Sequence, residues 1–165
     1  MIDNKGYTFI ELIIYISIVS VSVLVFTGFI VNITKASART EANLNTQYNA
    51  KFVMNKITNQ VRKASSYYVA PDSIFNNDQG KITLKMLNDE GNYDDLSFYL
   101  QNDMVFMKKN AGAGEIISDD DINFTKLRFD NDGAILSINL TAQNKLNSDK
   151  IIELYSSSSV RNLIY

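Results

Sequence analysis

From Leu12 to Thr34 the chain carries no charged side chain, and Leu12 to Ile33 reads as 22 almost wholly apolar residues. A helix of ~20 residues crosses a hydrocarbon core of ~30 Å. The run is rich in Ile and Val, which are mediocre helix formers in water. In lipid that matters little, because each backbone group must find its partner inside the segment. Ser17, Ser20, Ser22 and Thr27 interrupt the run. Their hydroxyls can bond back to the preceding turn or pack against a neighbouring helix. A buried core helix of this length would keep a polar face. A signal peptide cut after Ala36–Ser37–Ala38 has suitable small residues there. Its apolar region would be ~7–15 residues, shorter than this one. The pattern therefore favours a retained membrane helix.

From Asn32 to Ser65 there is neither Pro nor Gly. Apolar residues recur at Ala50, Val53, Ile57, Val61, Ala64 and Tyr68, in steps of three and four, with Tyr48 and Phe52 flanking the stripe. That spacing predicts an amphipathic helix running to about Ser65, continuous with the membrane helix. Pro71, the only proline, marks the end of this stem. Beyond it the period changes to two. The segments KITLKML, LSFYL, MVFMK, INFTKLRF, AILSINLTA and KIIELY read as strands, with hairpin turns expected at QND and DNDG from their Asn, Asp and Gly content. Leu136, Ile138, Leu140 and Ala142 fall on one face, together with Ala134. The expected fold class is α+β: a long amino-terminal helix packed on an antiparallel β-sheet head. The expected organisation is 7–34 membrane helix, 35–68 amphipathic stem and 69–165 head.

Composition narrows the chemistry. The chain has 165 residues, no Cys and no His. Disulfides, thiolate chemistry, zinc enzymes and Ser-His-Asp hydrolysis are excluded. Charge is uneven within a net of −2. Residues 35–63 hold six cations against Glu41, whereas residues 64–165 hold nine cations and fifteen acids. Two differently solvated surfaces account for this, as does a basic stretch facing a membrane or another subunit. The acids gather in NDEGNYDD, NAGAGEIISDDD and DNDG. Oxygen ligands suit calcium, but the spacing of a calcium loop and its distal Glu are missing, and Asp-Gly is ordinary turn chemistry. No metal and no cofactor is expected.

The stretch KGYTFIEL, followed by the apolar run, resembles the amino-terminal signature of type IV pilins and type II secretion pseudopilins. The ending SSSSVRNLIY and the stretch KFVMNKITNQVRKA resemble the larger minor pilins, of J-type or W-type. The resemblance implies that residues 1–6 are a leader, removed by a prepilin peptidase that cuts between Gly6 and Tyr7, and that Tyr7, which stands where the family usually has Phe, is N-methylated. It implies that Glu11 is the family's assembly glutamate, pairing with the amino terminus of a neighbouring subunit. It also implies a role for Gly28 in helix flexibility or close packing, where the family often has a helix-breaking Pro. The alternative for Glu11 is a place in the headgroup layer. The implied function is non-enzymatic. A minor pilin or pseudopilin helps initiate or cap a pilus, secretion or competence filament. The expected partners are other subunits, an inner-membrane assembly platform and membrane lipid, with nucleic acid unsupported. The expected location is a single-pass inner-membrane protein with its head outside the cytoplasm, then a filament or the cell surface. Lys and Arg on both flanks leave orientation undecided by charge alone. The competing class is a membrane-anchored extracellular binding module that does not polymerise.

Overall fold

Thr8 starts the first element by accepting a hydrogen bond from the Leu12 amide through its carbonyl, at 3.3 Å. From there α1 runs as one helix, Phe9–Lys63. The structure, a computed structural model, describes residues 8–67, 72–132, 135–145 and 150–159. The chain divides into two compact units, Met1–Glu41 and Ala42–Tyr165.

Within the first unit α1 has no core. Every large apolar side chain from Phe9 to Ile33 is exposed, from 42% at Val19 to 79% at Phe9. The segment is long and apolar enough to cross a membrane. Ser17, Ser20, Ser22 and Thr27 each donate a hydroxyl bond of 2.8 Å to the carbonyl four residues earlier. Thr34 and Thr40 do the same. These bonds hide hydroxyl polarity inside the helix, the first of the two roles open to these residues.

The second unit is built by the amphipathic part of α1 and, among the described residues, eight strands. The predicted stripe is the buried face: Ala50, Val53, Ile57 and Val61 have no exposure and Ala64 has 1%. Tyr68, the last residue of the stripe, lies outside the described residues. Tyr48 and Phe52 stay outside the core, at 69% and 54% exposure. The Lys56 ammonium sits 5.7 Å from the centre of the Phe52 ring. The helix ends at Lys63, two residues before the expected Ser65. There the Ser65 amide bonds to the Lys85 carbonyl at 2.9 Å and chain direction changes into a strand. Pro71 lies outside the described residues.

The strands are β1 (Ser66–Tyr67), β2 (Lys81–Leu87), β3 (Tyr93–Gln101), β4 (Met104–Lys109), β5 (Glu115–Ile116), β6 (Ile122–Asp132), β7 (Ile135–Asn144) and β8 (Ile151–Ser158). All pairings between them are antiparallel. Strand alternation along the sequence implies one sheet. The strands instead form two, a five-stranded sheet β1-β2-β3-β4-β5 and a three-stranded sheet β6-β7-β8. The two are stitched by residues 76–80. The Asn76 and Gly80 amides bond to the Phe129 and Leu127 carbonyls, and the Leu127 amide to the Asp78 carbonyl, at 2.7–2.8 Å. This loop occupies the side of β6 where another strand would pair. Gly80 is required by the close approach: a Cβ there would lie 2.8 Å from the Leu127 carbonyl oxygen.

The expected hairpin at QND turns on Asn102 and Asp103, with φ of 52° and 59°. Two positive φ values in a two-residue connection are the geometry that matches strand twist, and Asn and Asp tolerate it. β6 and β7 pair to Asp132↔Ile135. Gly133 of DNDG, and Ala134, lie outside the described residues. The remaining inward positions of β7, from Leu136 to Ala142, are all buried. They join Phe98, Phe124, Phe129, Leu127 and the α1 stripe in a single core. The layout is α+β, a helix packed on antiparallel sheets.

Candidate functional site

The first turn of α1 closes on itself through Thr8 and Glu11. The Glu11 Oε2 accepts from the Thr8 amide at 2.8 Å and from the Thr8 hydroxyl at 2.9 Å. The Thr8 Oγ1 lies 3.4 Å from the Glu11 amide, on the helix side. This is a reciprocal capping box, in which a Thr at the N-cap and a Glu three residues later satisfy each other's backbone donors. Helix starts otherwise leave four amides without partners. A carboxylate in the first turn also meets the positive end of the helix dipole.

The arrangement changes what Glu11 is. Its isolation at the start of an uncharged run suggests a carboxylate awaiting a partner. In the structure one oxygen already has two donors from Thr8, while Oε1 has no bond with any described residue. The pattern Thr-x-x-Glu ahead of an apolar run is a helix-start signature. It stands in the sequence as TFIE, and reading Glu11 only as a charge misses it.

Gly6 and Tyr7, the expected cleavage and methylation positions, lie outside the described residues. Gly28 lies within the unbroken α1, and a Cβ at that position would meet nothing within 4 Å.

The acidic loops of the second unit are engaged in local structure. The Asp119 amide donates to Asn49 Oδ1 of α1, and Asp119 Oδ1 accepts from the Asp121 amide, both at 3.3 Å. The Lys145 ammonium bonds to the Asp120 carbonyl. Asp94 pairs with Lys109 at 2.9 Å and accepts from the Asn110 amide group at 3.0 Å. These donors, Lys109 first, hold the Asp94 carboxyl below its ordinary range, and Asp94 in turn raises the Lys109 ammonium. Among the described residues no three acidic side chains come together as a metal-holding group.

Two features of the second unit are not evident from sequence. One is a shallow cavity of about 300 Å³ on the outer face of β6-β7-β8, lined in part by Asn139, Tyr155 and Ser157. The Asn139 Oδ1 there is buried without a hydrogen-bond partner among the described residues. The other is a groove of about 620 Å³ between the end of α1 and β8. It is lined by Asn59, Arg62 and Lys63 on one side and Ser157, Ser158 and Ser159 on the other. Neither could be read from a linear pattern: the cavity gathers residues from three strands, and the groove joins residues nearly a hundred positions apart.

No protein-family model, no curated protein and no solved structure matches this chain.

Proposed function

We propose that this chain is a membrane-anchored filament subunit of the type IV pilin and pseudopilin class, acting as a minor subunit that initiates or caps the fibre. The observation that carries the reading is the junction of KGYTFIEL with a helix whose apolar side chains find no partners in their own unit. A prepilin peptidase cuts between Gly6 and Tyr7, and the new Tyr7 amine is methylated. The unmodified α-amino group has a pKa of ~7.7–8.0, so it is largely cationic at neutral pH. Methylation keeps that charge.

The capping box gives the mechanism a defined starting state. The Thr8 amide belongs to the peptide bond with Tyr7, so a cut after Gly6 leaves it intact. Before assembly, Thr8 supplies donors to a carboxylate whose burial in the membrane costs about 2.5–3.5 kcal/mol on insertion scales. On assembly, the free Oε1 receives the Tyr7 amine of a neighbouring subunit. Attraction between the two charges is much stronger in a low dielectric than in water, and any other depth leaves a charge unpaired. Axial register follows. The inner-membrane assembly platform and the other subunits are the partners, the second unit lies outside the cytoplasm, and the protein performs no reaction of its own.

The test is the amino terminus of the mature protein. Mass spectrometry should find a chain beginning at methylated Tyr7. An intact Met1, or a terminus near Arg39, overturns the reading and leaves a membrane-anchored binding module that does not polymerise.

A further inference from the structure

An open strand edge presents unpaired amides and carbonyls that can template another strand, and folded proteins shorten or cover such edges. The edges of the two sheets differ sharply in this respect. β1 and β5 are two residues each. The outer side of β6 is occupied by the bonds from residues 76–80. β8 is eight residues long and, among the described residues, pairs on one side alone, with β7, in an unbroken register from Ile151 to Ser158. It has one charged residue, Glu153, and no Pro. Ile151 and Tyr155 on its solvent face are 59% and 69% exposed.

Beside this edge lies the groove shared with α1. Among the described residues that line it, the charged ones are Arg62 and Lys63. Both are exposed, and neither forms an ion pair with a described residue. Cations in the last turn complement the helix dipole. That accounts for their sign but not for the open strand they flank.

We propose that β8 and the Arg62–Lys63 groove receive an extended acidic segment of a different polypeptide, added as a fourth strand to β6-β7-β8. Backbone bonds along β8 supply affinity that is indifferent to sequence, and the two cations select carboxylates. Ile151 and Tyr155 offer cross-strand side-chain contacts at alternate positions. A second copy pairing through its own β8 is disfavoured, since it would bring two basic grooves together. The acidic residues 119–121 are disfavoured as well, because their backbone is already bonded to Asn49 and Lys145. The inference goes beyond the filament reading, since an edge of this kind serves a non-polymerising module equally.

The absence of native Cys is convenient but unnecessary for the test, which uses a photoreactive amino acid. It is placed at Ser157 of the full-length chain in its host cell, with exposed Asn92 as the control position. The expected result is an adduct at Ser157 and not at Asn92, mapping by mass spectrometry to an acidic stretch of another protein. The double substitution Arg62→Glu with Lys63→Glu should reduce its yield roughly tenfold, as loss of electrostatic steering does. An unchanged melting temperature of that variant shows that the fold is intact. Any of four results overturns the proposal: no adduct above the control, an adduct within the same chain at residues 160–165, an adduct to a second copy, or a yield indifferent to charge reversal.

Discussion

From Phe9 to Ile33 α1 exposes all of its large apolar side chains, whereas between Ala50 and Val61 it buries Val53 and Ile57 completely. Both parts are α-helical, and both include β-branched residues, which are mediocre helix formers in water. What differs is the solvent each part requires. The later part is held by a core of its own unit, and its apolar stripe is narrow because only one face meets that core. The earlier part is apolar all round and has no core, so lipid or other chains must surround it. Helical structure alone therefore says little about what stabilises a helix. The pattern around its circumference says much more.

The largest break in this comparison comes from making one substitution in both parts. Ile57→Ala removes a fully buried side chain from the core and should destabilise the second unit by about 2–5 kcal/mol. Ile16→Ala, at a position 55% exposed, should leave the same thermal unfolding transition unchanged. Equal shifts in melting temperature would show that both parts belong to one cooperative core.

A smaller effect separates capping from assembly at the helix start. Thr8→Ala removes the N-cap hydroxyl and should weaken the first turn by about 0.5–2 kcal/mol. Amide hydrogen exchange at residues 9–12 in micelles would detect that fraying. Glu11→Gln keeps a capping side chain but loses the charge, and Glu11→Ala loses both. If Glu11 acts in assembly through its charge, both Glu11 variants should insert in the membrane yet fail to enter filaments, while Thr8→Ala enters at reduced yield. Normal incorporation of Glu11→Gln would leave the capping box as the residue's whole role.

Smaller again is the contrast between hydroxyls. The Ser20 hydroxyl bonds to the Ile16 carbonyl of its own helix. The Thr58 hydroxyl instead reaches across to Ser156 of β8, at 3.2 Å. Thr58→Val should therefore cost about 0.5–1.5 kcal/mol in thermal unfolding, the usual net worth of such a bond. Ser20→Ala should cost nothing measurable there. A neutral Thr58→Val would mean that α1 and β8 are joined by apolar packing alone.

Periodicity carried most of the fold and little of the site. The stripe Ala50–Val53–Ile57–Val61 and the inward run Leu136–Ile138–Leu140–Ala142 were legible because burial on one face forces a period of 3.6 or 2. The Asn102–Asp103 hairpin was legible because few residues accept two positive φ values. The split into two sheets was not. It depends on residues 76–80 bonding to β6, and nothing periodic marks a loop that meets a strand some fifty positions later. The two-residue strands β1 and β5 are too short to show alternation. At Glu11 the signal was present but competed with a stronger one. The uncharged run made the carboxylate look solitary, while Thr8, three residues earlier, was already its partner.

The last and smallest contrast is between carboxylates. Glu11 takes its donors from its own helix start, whereas Asp94 takes its principal donor from Lys109 on the neighbouring strand β4. The Asp94 carboxyl is held below its ordinary range, so its stabilising contribution is complete above the unfolded value of ~3.9. It is lost as pH falls from there through the lower folded value. The Lys109 ammonium is raised, so its contribution is complete below ~10.4 and is lost as pH rises through the higher folded value. Asp94→Asn removes both contributions. The melting-temperature gap between the native chain and this variant should be flat across neutral pH and shrink toward both extremes. Lys109 is largely exposed, so added salt should narrow the neutral gap by screening the pair. A gap that widens below about pH 4 would show that Asp94 stabilises the strand pair in its protonated form, through Asn110 rather than through Lys109.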